Sequence, residues 1–256
     1  MTGLPFAESI ALPPPELLLA IAAATVAAST VAAVAGFGGS AILLPLLVPA
    51  FGARDAVFIL TIVQLVGNSS RVIFNRSEVV LPVVAWFSAG AVPFAILGGL
   101  AFAAAPLSVL TRLLGAFLIG IVVWRQLPIS ILGERRLPIQ SFAALGAISS
   151  FISAVIGTVG PLMVPFFLAY GLMKGAYIST EALSTVVIQV VKLGTYTGAA
   201  AMTITAVVAG AALAPLMILG SIIGKRLLHR VSDRAFVLIV EAAMLVAGIF
   251  FVLQPG

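Results

Sequence analysis

Long apolar stretches separated by short polar breaks run along almost the whole chain. A membrane-spanning helix needs about 20 apolar residues, and eight stretches are long enough to qualify. They are 16–35, 55–75, 79–103, 107–125, 138–157, 175–199, 203–225 and 235–253. Two further apolar pieces, 40–51 and 161–171, are too short to cross a bilayer. The pattern predicts an all-α polytopic membrane protein that contains broken, half-length helices.

The composition agrees with this pattern, since 62% of the residues are hydrophobic and only 8% are charged. A soluble domain carries roughly a quarter charged residues. A net charge of +5 would favour binding to nucleic acid, but the basic residues lie mostly in short loops, where they set membrane topology. We therefore expect a lipid bilayer as the surroundings of the chain and no nucleic acid as a partner.

Cysteine and histidine, which serve in many enzymes as nucleophile, base or metal ligand, are nearly absent from this chain. It has no cysteine and a single histidine, His229, in a basic loop. A thiolate or histidine metal site and a Ser/His hydrolytic pair inside the membrane are therefore not expected. We expect no enzymatic activity, no metal and no cofactor.

A shift of 121 residues brings similar residues of the two halves into register. The matched pairs are Gly36 with Gly157, Gly39 with Gly160, Asn68 with Gln189, and Arg71 with Lys192. Glycine matches are common in a chain with 24 glycines, but an amide followed three residues later by a cation is rare. The sequence predicts two homologous transmembrane repeats of about five apolar pieces each, 16–127 and 138–253, joined by a cytoplasmic linker at 128–137.

Lys and Arg predict the orientation of these repeats. They concentrate in loops 125–136 and 225–234, which should both face the cytoplasm. Loop 76–78 then faces the cytoplasm and its counterpart at 200–203 faces outward, so the repeats are inverted and both termini lie outside. The N-terminal residues also lack the positive charges of a cleavable signal peptide. Inverted repeats are typical of secondary transporters; the alternative, a duplicated scaffold, would have no use for intramembrane charges.

Two glycine-rich breaks, GFGGS at 36–40 and GTVGP at 157–161, precede the two short pieces. A helix that begins at membrane depth presents free N–H groups and a partial positive charge, and glycine allows a ligand to approach closely. The alternative is that these small residues only permit tight helix packing. The anion site that the breaks predict would be formed by Gly36, Gly38, Gly39, Ser40, Gly157, Thr158 and Gly160.

The two breaks and the residues that follow them resemble a known family. GFGGSAILLPLL and its echo GTVGPLMVPFFLAYGLMKGAYISTEAL are similar to the TauE/SafE sulfite exporters, also called the 4-toluene sulfonate uptake permease family. The resemblance covers nearly the whole chain, although Ser40 and Val159 stand where a further glycine is common. It implies a two-repeat transporter of the bacterial inner (plasma) membrane that moves sulfite, organosulfonates or related anions.

Two cations in apolar segments are candidates for binding the anion. Arg71 follows Asn68 by three residues, and Lys192 follows Gln189 in the same way. This spacing brings amide and cation onto one helical face. We expect the two pairs to attract or gate the anion from opposite sides. The alternative is that each cation snorkels to the membrane surface.

Two acidic residues, Glu181 and Glu241, are candidates for proton coupling because intramembrane acids are usually functional. Glu181 lies near the start of its segment, so the alternative is that it only stabilises the helix N-terminus. Glu241 lies deeper, where it would pair with a cation, titrate during transport, or lie at a subunit contact.

These features together predict a secondary transporter, most simply an exporter, that carries a small sulfur-containing anion by alternating access around a mid-membrane site. The residues alone indicate only a small anion, and sulfur comes from the resemblance. The alternatives are an anion channel and a transporter of a carboxylate, sulfate or thiosulfate. Whether the protein is a homodimer is left open.

Overall fold

The computed structural model describes residues 13–35, 39–126, 137–199 and 201–227. In these ranges the chain is helical and has no strand. The helices are α1 (Pro15–Ala35), α2 (Gly39–Phe74), α3 (Leu81–Ala104), α4 (Leu107–Gln126), α5 (Ser141–Ile156), α6 (Gly160–Tyr170), α7 (Lys174–Gly198) and α8 (Ile204–Leu227), with a short 3-10 turn (Arg76–Glu78) after α2.

Five of the described helices, α1, α2, α3, α7 and α8, are long and apolar enough to cross a membrane. The prediction of an all-α polytopic membrane protein is therefore confirmed. The segment 235–253 with Glu241, the linker residues 128–136, and the glycines Gly36 and Gly38 lie outside the described residues.

The two short pieces, predicted at 40–51 and 161–171, are both helical, but they join the next helix differently. In α2 a kink at Gly52, with φ 80° and ψ 160°, divides a short part, α2a (39–51), from a long part, α2b (53–74). In the second half α6 ends at Gly171, with φ 102°, and a new helix, α7, follows. Glycine suits both positions because side chains disfavour positive φ.

Two helix pairs pack closely because glycines face backbone. In the pair α3 and α5, a Cβ added at Gly90 would collide with the Ala143 carbonyl, and one added at Gly146 would collide with the Phe87 carbonyl. In the pair α1 and α8, Gly220 lies against the backbone of α1 in the same manner. Small residues of this kind allow close helix packing in membranes.

The helices α2b and α7 lie side by side in the interior, and α2 and α7 are the most buried of the five candidate spans. Gln64 contacts Gln189, and Arg71 contacts Glu181. Because rising residue numbers on one helix meet falling numbers on the other, α2b and α7 run antiparallel. Apolar and aromatic side chains pack around them, and the polar residues between them are described next.

Candidate functional site

Buried polar side chains form one stripe along α2b and another along α7. They are Gln64, Asn68 and Arg71 on α2b, and Glu181, Thr185, Gln189 and Lys192 on α7. Spacings of three and four residues keep each stripe on one helical face. Lys192 and Gln189 are both 0% exposed. Burial of polar groups is costly unless they have partners, so the contacts between the stripes decide what this region can do.

The guanidinium of Arg71 connects three helices. Nη2 donates a hydrogen bond to Oδ1 of Asn68, and Nη1 donates to the Ala32 carbonyl at 3.2 Å. Nη1 also lies 3.9 Å from Oε2 of Glu181. Ala32 supplies one of the last four carbonyls of α1, which have no partner within the helix. A cation there is favoured by the helix dipole.

Lys192 lies at the second glycine break. Its Nζ is 3.4 Å from both Oγ of Ser153 and the Gly157 carbonyl. Nε2 of Gln64 donates to the same carbonyl at 3.1 Å, and Nε2 of Gln189 donates to Oε1 of Gln64 at 3.3 Å. The carbonyl faces this cluster because Gly157 ends α5 with φ 97°. The predicted residues Gly157, Gln189 and Lys192 therefore meet in one place.

The two cations make corresponding contacts. Arg71 binds a residue 39 positions earlier in the chain, in the last turn of α1, and Lys192 binds a residue 39 positions earlier, in the last turn of α5. Each cation therefore lies against the C-terminal end of a helix. The sequence predicts that helix N-termini at the breaks bind the anion. The structure shows in addition that carbonyls at helix C-terminal ends accept hydrogen bonds from both cations.

The remaining break residues have mixed surroundings. Thr158 is 2% exposed, and α6 begins two residues later at Gly160. At Gly39 the observed role is close packing, since an added Cβ would lie 2.9 Å from the Ala28 carbonyl oxygen of α1. Gly36, Gly38 and the side chain of Ser40 lie outside the described residues.

Glu181 does not lie in the first turn of α7 but about two turns in. It is 2% exposed, and its Oε1 accepts a hydrogen bond from Oγ1 of Thr185 at 3.1 Å. Stabilisation of the helix N-terminus decays within the first turn, so it does not account for this position. The contact with Arg71 links the predicted proton-coupling residue directly to a predicted anion-binding residue.

Three buried polar atoms on α7 have no hydrogen-bond partner among the described residues: Oε2 of Glu181, Oε1 of Gln189 and the hydroxyl of Tyr177. An unsatisfied buried polar atom costs about 1–3 kcal/mol. The stripe therefore has capacity for a proton, a water molecule or a ligand that the described side chains do not use.

Three residues that take part in these polar contacts were not predicted from the sequence: Gln64, Thr185 and Ser153. For Gln64 the signal was present, because residues 64, 68 and 71 form one polar face on an otherwise apolar helix. Ser153 was harder to find because its role depends on the approach of α7 to α5.

The family model for sulfite exporter TauE/SafE matches residues 21–251, which include both polar stripes. The chain belongs to the TauE/SafE sulfite exporter family. No curated protein and no solved structure matches it. Together with its five candidate spans, membership in this family makes the chain a multi-pass membrane transporter. The TauE/SafE assignment thus agrees with the resemblance seen in the two glycine breaks.

Proposed function

We propose that this TauE/SafE protein is a secondary transporter that exports a small sulfur-containing anion, such as sulfite or an organosulfonate, across the bacterial inner membrane by alternating access. The observation that carries the proposal is the pair of buried cations, Arg71 and Lys192, one from each half. They lie on adjacent antiparallel helices, and Glu181 is the one described carboxylate that approaches either of them within 4 Å. The described residues of the two stripes therefore carry an excess of positive charge, which favours a bound anion.

The chemistry of the stripe suits a small oxyanion. The Arg71 guanidinium is a planar fork that binds two oxygens of one anion at once. The Lys192 ammonium offers a second positive charge at the other end of the stripe, about three helical turns from Glu181 along α7. Gln64 and Gln189 hydrogen-bond each other, and rotation of either side chain would turn amide donors toward a bound anion. These groups select for charge and oxygen atoms, while the preference for sulfur rests on the family.

Alternating access requires two bodies that move around a central site, and the close packing supports two such bodies, the pair α1 and α8 and the pair α3 and α5. Under the predicted repeat, α5 corresponds to α1 and α8 to α3, so each close pair joins one helix from each half. The corresponding helices α2b and α7 run antiparallel, as inverted repeats require. Arg71 and Lys192 make corresponding contacts. In this proposal the bundles rock against each other around the polar stripe, with the Arg76–Glu78 turn facing the cytoplasm.

Transport of radiolabelled sulfite in proteoliposomes tests the site. Arg71→Gln and Lys192→Gln should each lower the rate at least about tenfold, because each removes a charged hydrogen-bond donor worth about 1.5–3 kcal/mol. Arg112→Gln and Lys225→Gln are matched controls, since both residues are exposed. Normal transport rates in both Arg71→Gln and Lys192→Gln, with intact folding, would show that neither cation belongs to the anion site.

A binding panel tests the substrate class. Thermal shifts should be measured with sulfite, thiosulfate, sulfoacetate, taurine, sulfate and acetate. We expect stabilisation by the sulfur anions and none by acetate, and no shift with any anion would contradict an anion carrier. Saturation and counterflow of the bound anion identify a carrier, whereas flux that rises linearly with concentration would indicate a channel.

A further inference from the structure

We propose that the Arg71–Glu181 ion pair couples transport to protons. In this mechanism the substrate anion and the ionised Glu181 carboxylate compete for Arg71, so the anion is carried together with one proton. The inference rests on the proposed function and names the ion that moves together with the anion. Export then occurs when the outward gradient of the anion exceeds the inward gradient of protons.

The geometry of the pair suits competition. The 3.9 Å between Nη1 of Arg71 and Oε2 of Glu181 is too long for a hydrogen bond. The guanidinium is held instead by Asn68 and Ala32, and Oε2 has no hydrogen-bond partner among the described residues. The carboxylate is therefore a counter-ion that does not hold the arginine in place, and one of its oxygens is available for a proton.

Few other charges of the described residues surround Glu181. The described helices packed against α7 are α2, α3, α5 and α6, together with the 3-10 turn, and α3, α5 and α6 contain no charged residue. The titratable groups on these elements and on α7 are Arg54, Asp55, Arg71, Arg76, Glu78, Tyr170, Lys174, Tyr177, Lys192 and Tyr196. Among the described residues, Arg71 is the one cation within 4 Å of the Glu181 carboxylate.

The proposed cycle balances charge and protons. In the empty site ionised Glu181 neutralises Arg71. When an anion binds Arg71, the buried carboxylate of Glu181 loses its counter-charge. Because an unpaired buried charge is costly, Oε2 then takes up a proton from the solution on the side from which the anion entered. After the site opens to the other side, the anion leaves, the O–H bond breaks, the proton returns to water, and the ion pair forms again. Each monoanion moves with one proton, without net charge transfer.

The stoichiometry follows from an asymmetry between the halves. The residue 121 positions before Glu181 is Leu60, which is fully buried in the apolar core. Lys192 correspondingly has no described carboxylate within 4 Å and keeps Ser153 and Gly157 as its partners. One carboxylate next to one of the two cations, counted over the described residues, gives one proton per cycle.

Glu181→Gln tests the coupling because it keeps the shape of the protonated side chain and cannot ionise. The probe is radiolabelled methanesulfonate in proteoliposomes, since a sulfonate stays ionised across the tested pH range. With wild-type protein, an outside pH one unit below the inside should drive about tenfold accumulation, because a one-unit gradient is worth about 1.4 kcal/mol. Glu181→Gln should retain counterflow and lose this accumulation.

A voltage measurement gives an independent readout. Flux through the wild-type protein should not respond to an imposed membrane potential, whereas Glu181→Gln would move a net negative charge and should accelerate when the inside is positive. Glu181→Asp keeps an ionisable group and should retain pH-driven accumulation. This variant keeps the coupling testable if Glu181→Gln does not fold. Glu78→Gln is the control, because this exposed carboxylate lies at the start of α7 against Gly175.

The outcomes separate the two proposals. Persistent pH-driven accumulation by Glu181→Gln, or wild-type flux that no pH gradient accelerates, overturns the coupling and leaves anion transport standing. Absence of wild-type flux with both sulfite and methanesulfonate overturns the proposed function and the coupling together.

Discussion

At the scale of single residues, positive φ angles mark where the chain bends. Gly52, Gly157 and Gly171 adopt them within the described ranges. At Gly52 and Gly171 an added Cβ would meet nothing within 4 Å, whereas at Gly157 it would lie 3.3 Å from Cγ2 of Val57. Only Gly157 also presents its carbonyl to Gln64 and Lys192. Backbone conformation and site chemistry therefore coincide at that glycine.

Gly157→Ala and Gly171→Ala should separate these two roles. Both replace a glycine with positive φ and should destabilise the protein by about 1–2 kcal/mol. Gly157→Ala should in addition lower sulfite transport several-fold, because the new methyl group presses on Val57 and displaces the carbonyl that Lys192 and Gln64 share. Thermal unfolding and proteoliposome flux measure the two effects. Equal transport by the two variants would show that the Gly157 carbonyl is not part of the site.

At the scale of helices, two kinds of contact serve different purposes. The pair α3 and α5, like the pair α1 and α8, is joined through glycines that bring backbones together. Such interfaces cannot slide without collisions, so each pair should move as a unit. The region between α2b and α7 instead contains polar contacts. Gln189 donates to Gln64 at 3.3 Å, and Gln64 and Lys192 both donate to the Gly157 carbonyl, at 3.1 Å and 3.4 Å. Contacts of this kind can exchange for a ligand.

Gly146→Ala tests the close packing of α3 and α5. Its methyl group would collide with the Phe87 carbonyl, and such overpacking costs about 1–3 kcal/mol. Gly194→Ala is the matched control, since this glycine also lies inside a helix and an added Cβ meets nothing within 4 Å. Thermal unfolding should show a lower Tm for Gly146→Ala and an unchanged or higher Tm for Gly194→Ala. The reverse order would contradict the close packing.

At the scale of the whole molecule, inversion of the repeats makes a prediction about sidedness. The chain has no cysteine, so single cysteines can report which side of the membrane a residue faces. Ser77 follows α2b and Ala199 follows α7, and both are exposed. In intact cells a membrane-impermeant maleimide should label Ala199→Cys and not Ser77→Cys, with the reverse pattern in inside-out vesicles. Labelling of both from one side would contradict the inverted topology.

Much of the fold was predictable because hydrophobic length and helix-breaking residues act locally. The segment predicted at 79–103 is the helix Leu81–Ala104, and the piece predicted at 161–171 is the helix Gly160–Tyr170. The kink at Gly52 differs from the predicted separation of two pieces, because one glycine with positive φ bends α2 without a loop. Residues 235–253 stay a prediction.

The residues of the candidate site were predictable as types and in their spacing along each helix. Asn68 with Arg71, and Gln189 with Lys192, could be recognised because polar side chains are conspicuous in an apolar helix and three residues keep a pair on one face. The family could be recognised for a similar reason, since the glycine breaks are continuous pieces of sequence.

Only the tertiary structure decided which groups meet between different helices. It brought Arg71 to Glu181, Gln64 to Gln189, and Lys192 to the C-terminal end of α5. No local rule predicts these contacts, because they depend on the antiparallel crossing of α2b and α7, which the packing of all the surrounding helices sets. Spacing along a helix is determined by backbone geometry, whereas partners across the core follow from how many distant residues pack at once.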